Sequence, residues 1–280
     1  SFASCDNADT KTPDNLPGNM ESGNPSGTNG ADEEGGGNDK TNVSATGVPE
    51  EKKVQEGESG GTGTPTPGEI MKNPEVAFEI LSDTRTDSEG NELVYAQYPV
   101  FSVSGEGYEA LLAVLGAWNE EFKSQADVFL DGMKEDAAWY RESVDASYRY
   151  GQTTFVTIYR CDKEFVSILI FREVEEGGPH PNYYMEALNI FSQTGKLAKL
   201  SDVLAITDEL KEKIKVGLRK EYPEFEFDDA LLEEGIADAL ANETVVWYFT
   251  DGDICINFPE GSFGFGHAEG SLGVLVPVEE

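Results

Sequence analysis

Histidine is nearly absent from these 280 residues: His180 and His267 are the only two, and they lie 87 positions apart. Zinc sites and Ser-His-Asp machinery need a base or ligands held by partners, and the sequence has no His-Glu-x-x-His, no Cys-x-x-Cys and no Gly-x-Ser-x-Gly. It also lacks a glycine-rich phosphate loop leading into a helix, so nucleotide binding has no support. Asp87-Ser88-Glu89-Gly90-Asn91 and Asp251-Gly252-Asp253 do not fit the twelve-residue calcium loop with its terminal Glu and read as hairpin turns. No cofactor and no metal are expected. No stretch approaches the ~18–20 apolar residues that span a bilayer. Cysteine is scarce too, with Cys5, Cys161 and Cys255 making an odd set that a disulfide framework does not explain. Cys161 ends one apolar strand pattern and Cys255 lies inside another, where a buried free thiol is the commoner outcome.

Bases are outnumbered, 20 against 54 acids. Residues 1–68 hold 12 acids and 4 bases, and the remainder holds 42 acids against 16 bases, a formal charge of −26. Such a surface repels nucleic acid and anionic head groups and speeds encounter with basic partners. Aromatics are missing from the first 68 residues except for Phe2, while 13 glycines are present among Ser, Thr, Asn, Pro, Asp and Glu. That segment cannot bury enough apolar surface to offset an ordering cost of ~1–2 kcal/mol per residue, so a disordered tether is expected over residues 1–68. A flexible linker of about 63 residues has a root-mean-square span of roughly 45 Å, a reach that suits a domain working within or across a porous cell wall. Phe2-Ala3-Ser4-Cys5 resembles the end of a bacterial lipoprotein signal peptide, which makes Cys5 the expected lipidation site and a lipid anchor the expected tie to the membrane.

After Thr64-Pro65-Thr66-Pro67-Gly68 the pattern changes. Alternation through Val76, Phe78 and Ile80, the polar turn at 87–91, and the run Leu93 to Phe101 predict a hairpin. Leu111, Leu115, Trp118, Phe122, Ala126, Phe129, Met133, Ala137, Tyr140 and Val144 recur at spacings of three and four, one apolar face of a long amphipathic helix. Ser104 is its expected cap, and Gly116 and Gly132 weaken it by ~1 kcal/mol each relative to Ala. Strands are predicted at 147–159, 165–174, 183–191, 245–250, 254–258 and 272–278. Helices are predicted from the caps Thr207 and Asp228. The expected class is α+β: antiparallel sheets with one long amphipathic helix and two shorter C-terminal helices. A first module is expected over 69–175 and a second over 176–280, packed on the first.

One segment combines shaped backbone with recognition chemistry: Gly177-Gly178-Pro179-His180-Pro181-Asn182-Tyr183-Tyr184. A second reading has His180 and Asn182 only holding the turn through hydrogen bonds to backbone groups. This run resembles the extracytoplasmic domain of RsiV-type anti-sigma factors, as do Ala187-Leu188-Asn189-Ile190, Thr194-Gly195-Lys196, Leu200-Ser201-Asp202-Val203-Leu204 and Tyr248-Phe249-Thr250-Asp251-Gly252. The same pair of modules, known as domains of unknown function, is appended to PdaC-type peptidoglycan deacetylases. The likeness covers roughly residues 74 to 280. It implies a non-enzymatic α+β recognition domain at a bacterial cell envelope, of Gram-positive type, whose partner is a basic protein such as lysozyme. His180, Pro181, Asn182 and Tyr183, with Phe263, Phe265 and His267 of the later glycine-rich loop, are the expected ligand contacts. Where that family is richer in Pro and Tyr, this chain has Phe263-Gly264-Phe265-Gly266-His267. A peptidoglycan-binding accessory and a wall hydrolase working through two carboxylates are the alternatives.

Overall fold

The computed structural model describes residues 72–278, apart from 146, 179 and 265–269. In chain order they form β1 (Glu75–Thr86), β2 (Glu92–Ser104), α1 (Glu109–Ser143), β3 (Tyr150–Cys161), β4 (Phe165–Glu175), β5 (Asn182–Phe191), α2 (Leu200–Val203), α3 (Asp208–Glu221), α4 (Asp229–Ala241), β6 (Val246–Phe249), β7 (Asp253–Phe258) and β8 (Leu272–Pro277). The strands make a five-stranded sheet ordered β1-β2-β3-β4-β5 and a three-stranded sheet ordered β6-β7-β8. The class is α+β. The lipidation site expected at Cys5 and the tether over 1–68 lie outside the described residues.

The β1–β2 turn is held by Asp87, whose carboxylate accepts from the backbone N–H groups of Glu89 (2.8 Å) and Asn91 (2.9 Å), while Gly90 supplies a φ of +86°. Helix α1 buries Leu111, Leu115, Phe122, Ala126, Leu130 and Ala137 against the five-stranded sheet. It passes Gly116 and Gly132 without a break, because packing along that face outweighs two small propensity costs. The helix does not begin where expected. Ser104 ends β2 and its hydroxyl donates to Glu75 (2.8 Å); Tyr108 occupies the N-cap position with no side-chain cap bond. Buried Tyr108 instead fixes the entry to the helix, its hydroxyl donating to the Lys72 carbonyl at 2.6 Å.

Helix α1 crosses from β2 to β3, and these two strands run parallel, paired only from Val94–Ala96 to Tyr150–Gln152. Beyond that they part, and side chains take over the ladder. The Gln97 carbonyl accepts from Thr154 Oγ1 (2.6 Å) and Gln152 Nε2 (3.1 Å). Pro99 has no N–H to satisfy. Asn119 of α1 reads Phe101 as a neighbouring strand would, accepting from its N–H at 2.7 Å and donating to its carbonyl at 2.9 Å. Asn119→Ala orphans both groups, so it should cost about 2–4 kcal/mol, seen as a lower urea midpoint at unchanged slope.

Strand β5 pairs with β4 along its whole length, from Val174↔Asn182 to Phe165↔Phe191. The division expected after residue 175 therefore does not coincide with the division between sheets. The two strands serve two cores. Val166, Ile168, Ile170, Leu188 and Ile190 face α1, whereas Phe165 and Phe191 join the core built by α3, α4 and the second sheet. Helices α3 and α4 start at the expected caps: the Thr207 hydroxyl accepts from Leu210 N, and the Asp228 carboxylate accepts from Ala230 N and Leu231 N. Cys255 is a free thiol, and the Cys161 thiol donates to the Pro74 carbonyl at 3.3 Å.

Candidate binding site

Alternation along a strand sends successive side chains to opposite faces. The face of β3, β4 and β5 turned away from α1 carries Phe155, Phe171 and Tyr183 in one row, with ring centroids 6.2 Å and 5.5 Å apart. Phe155 and Phe171 are direct cross-strand partners; Tyr183 lies diagonally across from Phe171, opposite Glu173. Phe155 and Tyr183 are each 52% exposed, so this row of rings is open to solvent. The Phe171 and Tyr183 rings are nearly parallel, 23° apart, so one face of Tyr183 is taken by Phe171.

The turn that follows β4 is pinned from beneath. Gly177 has a φ of +79° and its N–H donates to the Tyr148 hydroxyl at 3.3 Å; a Cβ there would lie within 3 Å of the Tyr140 ring and the Tyr150 hydroxyl. Tyr140, Tyr148 and Tyr150 form a packed trio with centroids 5.0–5.9 Å apart. With its base fixed, the turn presents His180 and Asn182 to solvent and leaves Pro181 half-buried. The Asn182 amide donates to Glu176 at 3.4 Å, a long and weak bond. Tyr184, 54% exposed, points to the opposite side from Tyr183. Burial of its hydroxyl, then the carboxylates of Glu176 and Glu260, push its phenol above the usual value.

Carboxylates lie among these rings: Glu173, Glu175 and Glu176 on and after β4, with Glu260 near enough to act on the Tyr184 phenol. The nearest guanidinium on β4, that of Arg172, is occupied. It pairs with Glu186 at 2.6 Å and lies 5.6 Å from the centroid of the Phe122 ring. The end of the sheet at the β4–β5 turn is therefore aromatic, acidic and open.

Not every expected contact gathers here. Phe263 is 5% exposed and packs against Phe258 and Phe227, with centroids 5.1 Å and 6.1 Å away, in the second core. Its loop presses on α4 so closely that a Cβ at Gly235 would sit 2.1 Å from the Ser262 carbonyl oxygen. That corrects its assignment as a surface contact: Phe263 is a core residue. Phe265 and His267 lie outside the described residues.

Other candidates have their own physical accounts. Burial raises the Cys255 thiol, and a protonated, enclosed thiol is a poor nucleophile. Tyr159 and Tyr248 stack at 4.7 Å beside it. Among the described residues Glu186 is the one carboxylate pushed upward, by burial first and then against the pull of Arg172, with Glu121 adding repulsion. Its short bond to Arg172 ties β4 to β5 beneath α1. A shallow open depression of about 550 Å³ on the solvent side of α1 is lined by Glu120, Lys123, Asp127 and their neighbours on that one helix. Lys123 there is already paired with Asp83 and Asp127.

No family model matches the sequence, and no curated protein matches it. Solved structures do resemble the fold. A DUF3298-family protein of Bacteroides fragilis is 14% identical, with a TM-score of 0.51 over 72% of this chain and 90% of that one. A DUF3298-family protein of Pseudomonas aeruginosa is 12% identical, with a TM-score of 0.40 over 71% and 89%. The Bacteroides likeness extends to the fold alone, which is of the type found in that domain family of unknown function.

Proposed function

We propose that this chain is an exported binding protein, tethered through a lipid on Cys5, whose folded domain takes a cationic protein ligand at the β4–β5 end of its large sheet. The observation that carries the reading is the set of half-exposed rings, Phe155, Tyr183 and Tyr184, among Glu173, Glu175, Glu176 and Glu260. Exposed rings beside carboxylates suit lysine and arginine side chains, which gain from both the ring faces and the charges. The formal charge of −26 over residues 69–280 steers such a partner in. The resemblance to RsiV-type domains makes a basic lysozyme the first ligand to test.

A glycan is less well served by this surface. A neutral glycan leaves the carboxylates around the rings without a counter-charge. Calorimetry with a basic lysozyme at low and moderate salt should give a micromolar or tighter complex that weakens as salt rises. Tyr183→Ala should weaken it by roughly 10-fold or more while lowering stability by no more than about 1.5 kcal/mol, the worth of its stack on Phe171. No heat and no complex would reject this ligand. Retention on purified peptidoglycan instead would move the role to wall binding, and release of muropeptides, lost in Glu186→Gln, would move it to hydrolysis.

A further inference from the structure

Strand β5 is an edge of the five-stranded sheet, and its two halves differ. In the second half the chain folds back on it: Phe191 N–H donates to the Lys196 carbonyl (2.9 Å) and the Asn189 carbonyl accepts from Ala198 N–H (2.8 Å). These bonds fix which residues aim their main chain away from β4. Along a strand the direction alternates, so Tyr183, Met185 and Ala187 aim theirs outward as Asn189 and Phe191 do. Among the described residues none of those three has a main-chain partner on that side. The first half of β5 is an open ladder beginning beside the His180 turn.

Exposed edges are usually blunted by charge. The opposite edge strand, β1, carries Glu75, Glu79, Asp83 and Arg85. Between Asn182 and Ala187, β5 carries Glu186 alone, and Arg172 neutralises it. The open stretch is instead Tyr183, Tyr184 and Met185, with both tyrosine rings half exposed.

We infer that the open half of β5 is a strand-addition edge that receives an extended, cationic segment of the protein ligand. This rests on the reading proposed above and specifies how the ligand docks. Main-chain bonds to Tyr183, Met185 and Ala187 hold the segment, and its alternate side chains reach Tyr183 on one face and Tyr184 with Glu176 and Glu260 on the other. Charge selects this occupant over a second copy of the chain, because pairing two such edges would bring Glu173, Glu176 and Glu260 of both copies together.

Amide hydrogen exchange of the whole folded chain, with and without a basic lysozyme, tests the mode of docking. Exchange at the amides of Tyr183, Met185 and Ala187 should slow by roughly 10-fold or more in the complex. Met185→Pro removes an outward N–H without touching the β4 ladder, and it should weaken the complex by about 10-fold or more; Met185→Ala keeps the N–H and should bind within about 3-fold of the parent. A complex that leaves all three amides unprotected overturns the edge while the binding role stands. Absence of any complex overturns both. A concentration-dependent dimer abolished by Met185→Pro would hand the edge to a second copy and overturn the inference. If Met185→Pro fails to fold, exchange in the parent protein decides alone.

Discussion

Asn189→Ala is expected to cost the folded domain about 3–5 kcal/mol, far more than the truncation of a single amide usually does. Asn189 lies on β5 with 5% exposure, next to fully buried Ser167 on β4. The Ser167 hydroxyl donates to Asn189 Oδ1 (2.7 Å) and accepts from the Phe249 N–H (3.1 Å), while Asn189 Nδ2 donates to the Trp247 carbonyl (2.6 Å). Two polar side chains of the large sheet thus satisfy the main chain of β6, and they fasten the second sheet to the first in a place that water does not reach. Removing the amide orphans the Ser167 hydroxyl and the Trp247 carbonyl together. Asn189→Asp repairs only half of this, since a carboxylate accepts from Ser167 but has nothing to donate to Trp247, and it buries a charge. Urea unfolding should report the loss. The double variant Ser167→Ala with Asn189→Ala should cost less than the two single losses added, because neither side chain is then left facing a missing partner. Strict additivity would show that the three bonds act independently.

The parts of this fold that were legible in the sequence are those set by local physics. The spacing of Leu111, Leu115, Phe122 and Ala126 fixes the buried face of α1. Thr207 and Asp228 cap α3 and α4 because a short oxygen before an amphipathic run has orphan N–H groups within reach. Asp251-Gly252 turns β6 into β7, with Gly252 at φ +91°. What was illegible depends on distant partners. The parallel β2–β3 seam is three residues long and joins positions 56 apart in sequence, so no local pattern marks it. Asn119 looks like any polar residue on a helix, yet its role is fixed by where β2 ends its pairing. Ser104 has cap chemistry but is used up by Glu75 across the hairpin.

The candidate site divides in the same way. His180, Asn182 and Tyr183 were legible as a shaped, chemically rich turn, and their exposure follows from glycine and proline around them. Phe155 and Phe171 were not, since each sits in a strand where a buried ring would be the default. Only the register Phe155↔Phe171 and the diagonal to Tyr183 assemble them into a row. Phe263 misled in the opposite sense. Glycines on both sides of an aromatic suggest an exposed loop, but here they let the ring turn back into the second core against Phe258. Composition tells how a loop can move and not which way its side chains go.

Gly195→Ala is expected to destabilise the domain by about 3–5 kcal/mol, the sum of two separate effects. The residue sits in the turn that ends β5, with a φ of +67° and its N–H donating to the Phe191 carbonyl at 2.9 Å. Any other residue pays about 1–2 kcal/mol for that left-handed backbone. The second effect comes from α1. A Cβ on residue 195 would lie 2.6 Å from the carbonyl oxygen of Ala110 and 2.9 Å from its carbonyl carbon, in the first turn of a helix that has no side-chain cap. Main chain cannot swing aside as a long side chain can, so either the turn or the start of α1 must move. Gly252 separates the two effects. It also has a positive φ, of +91°, but nothing lies within 4 Å of where its Cβ would be, so Gly252→Ala carries the backbone cost alone. Denaturant unfolding of the two variants should place Gly195→Ala well below Gly252→Ala in midpoint. Equal losses would mean that the contact between the β5 turn and the first turn of α1 contributes nothing to holding that helix on the sheet.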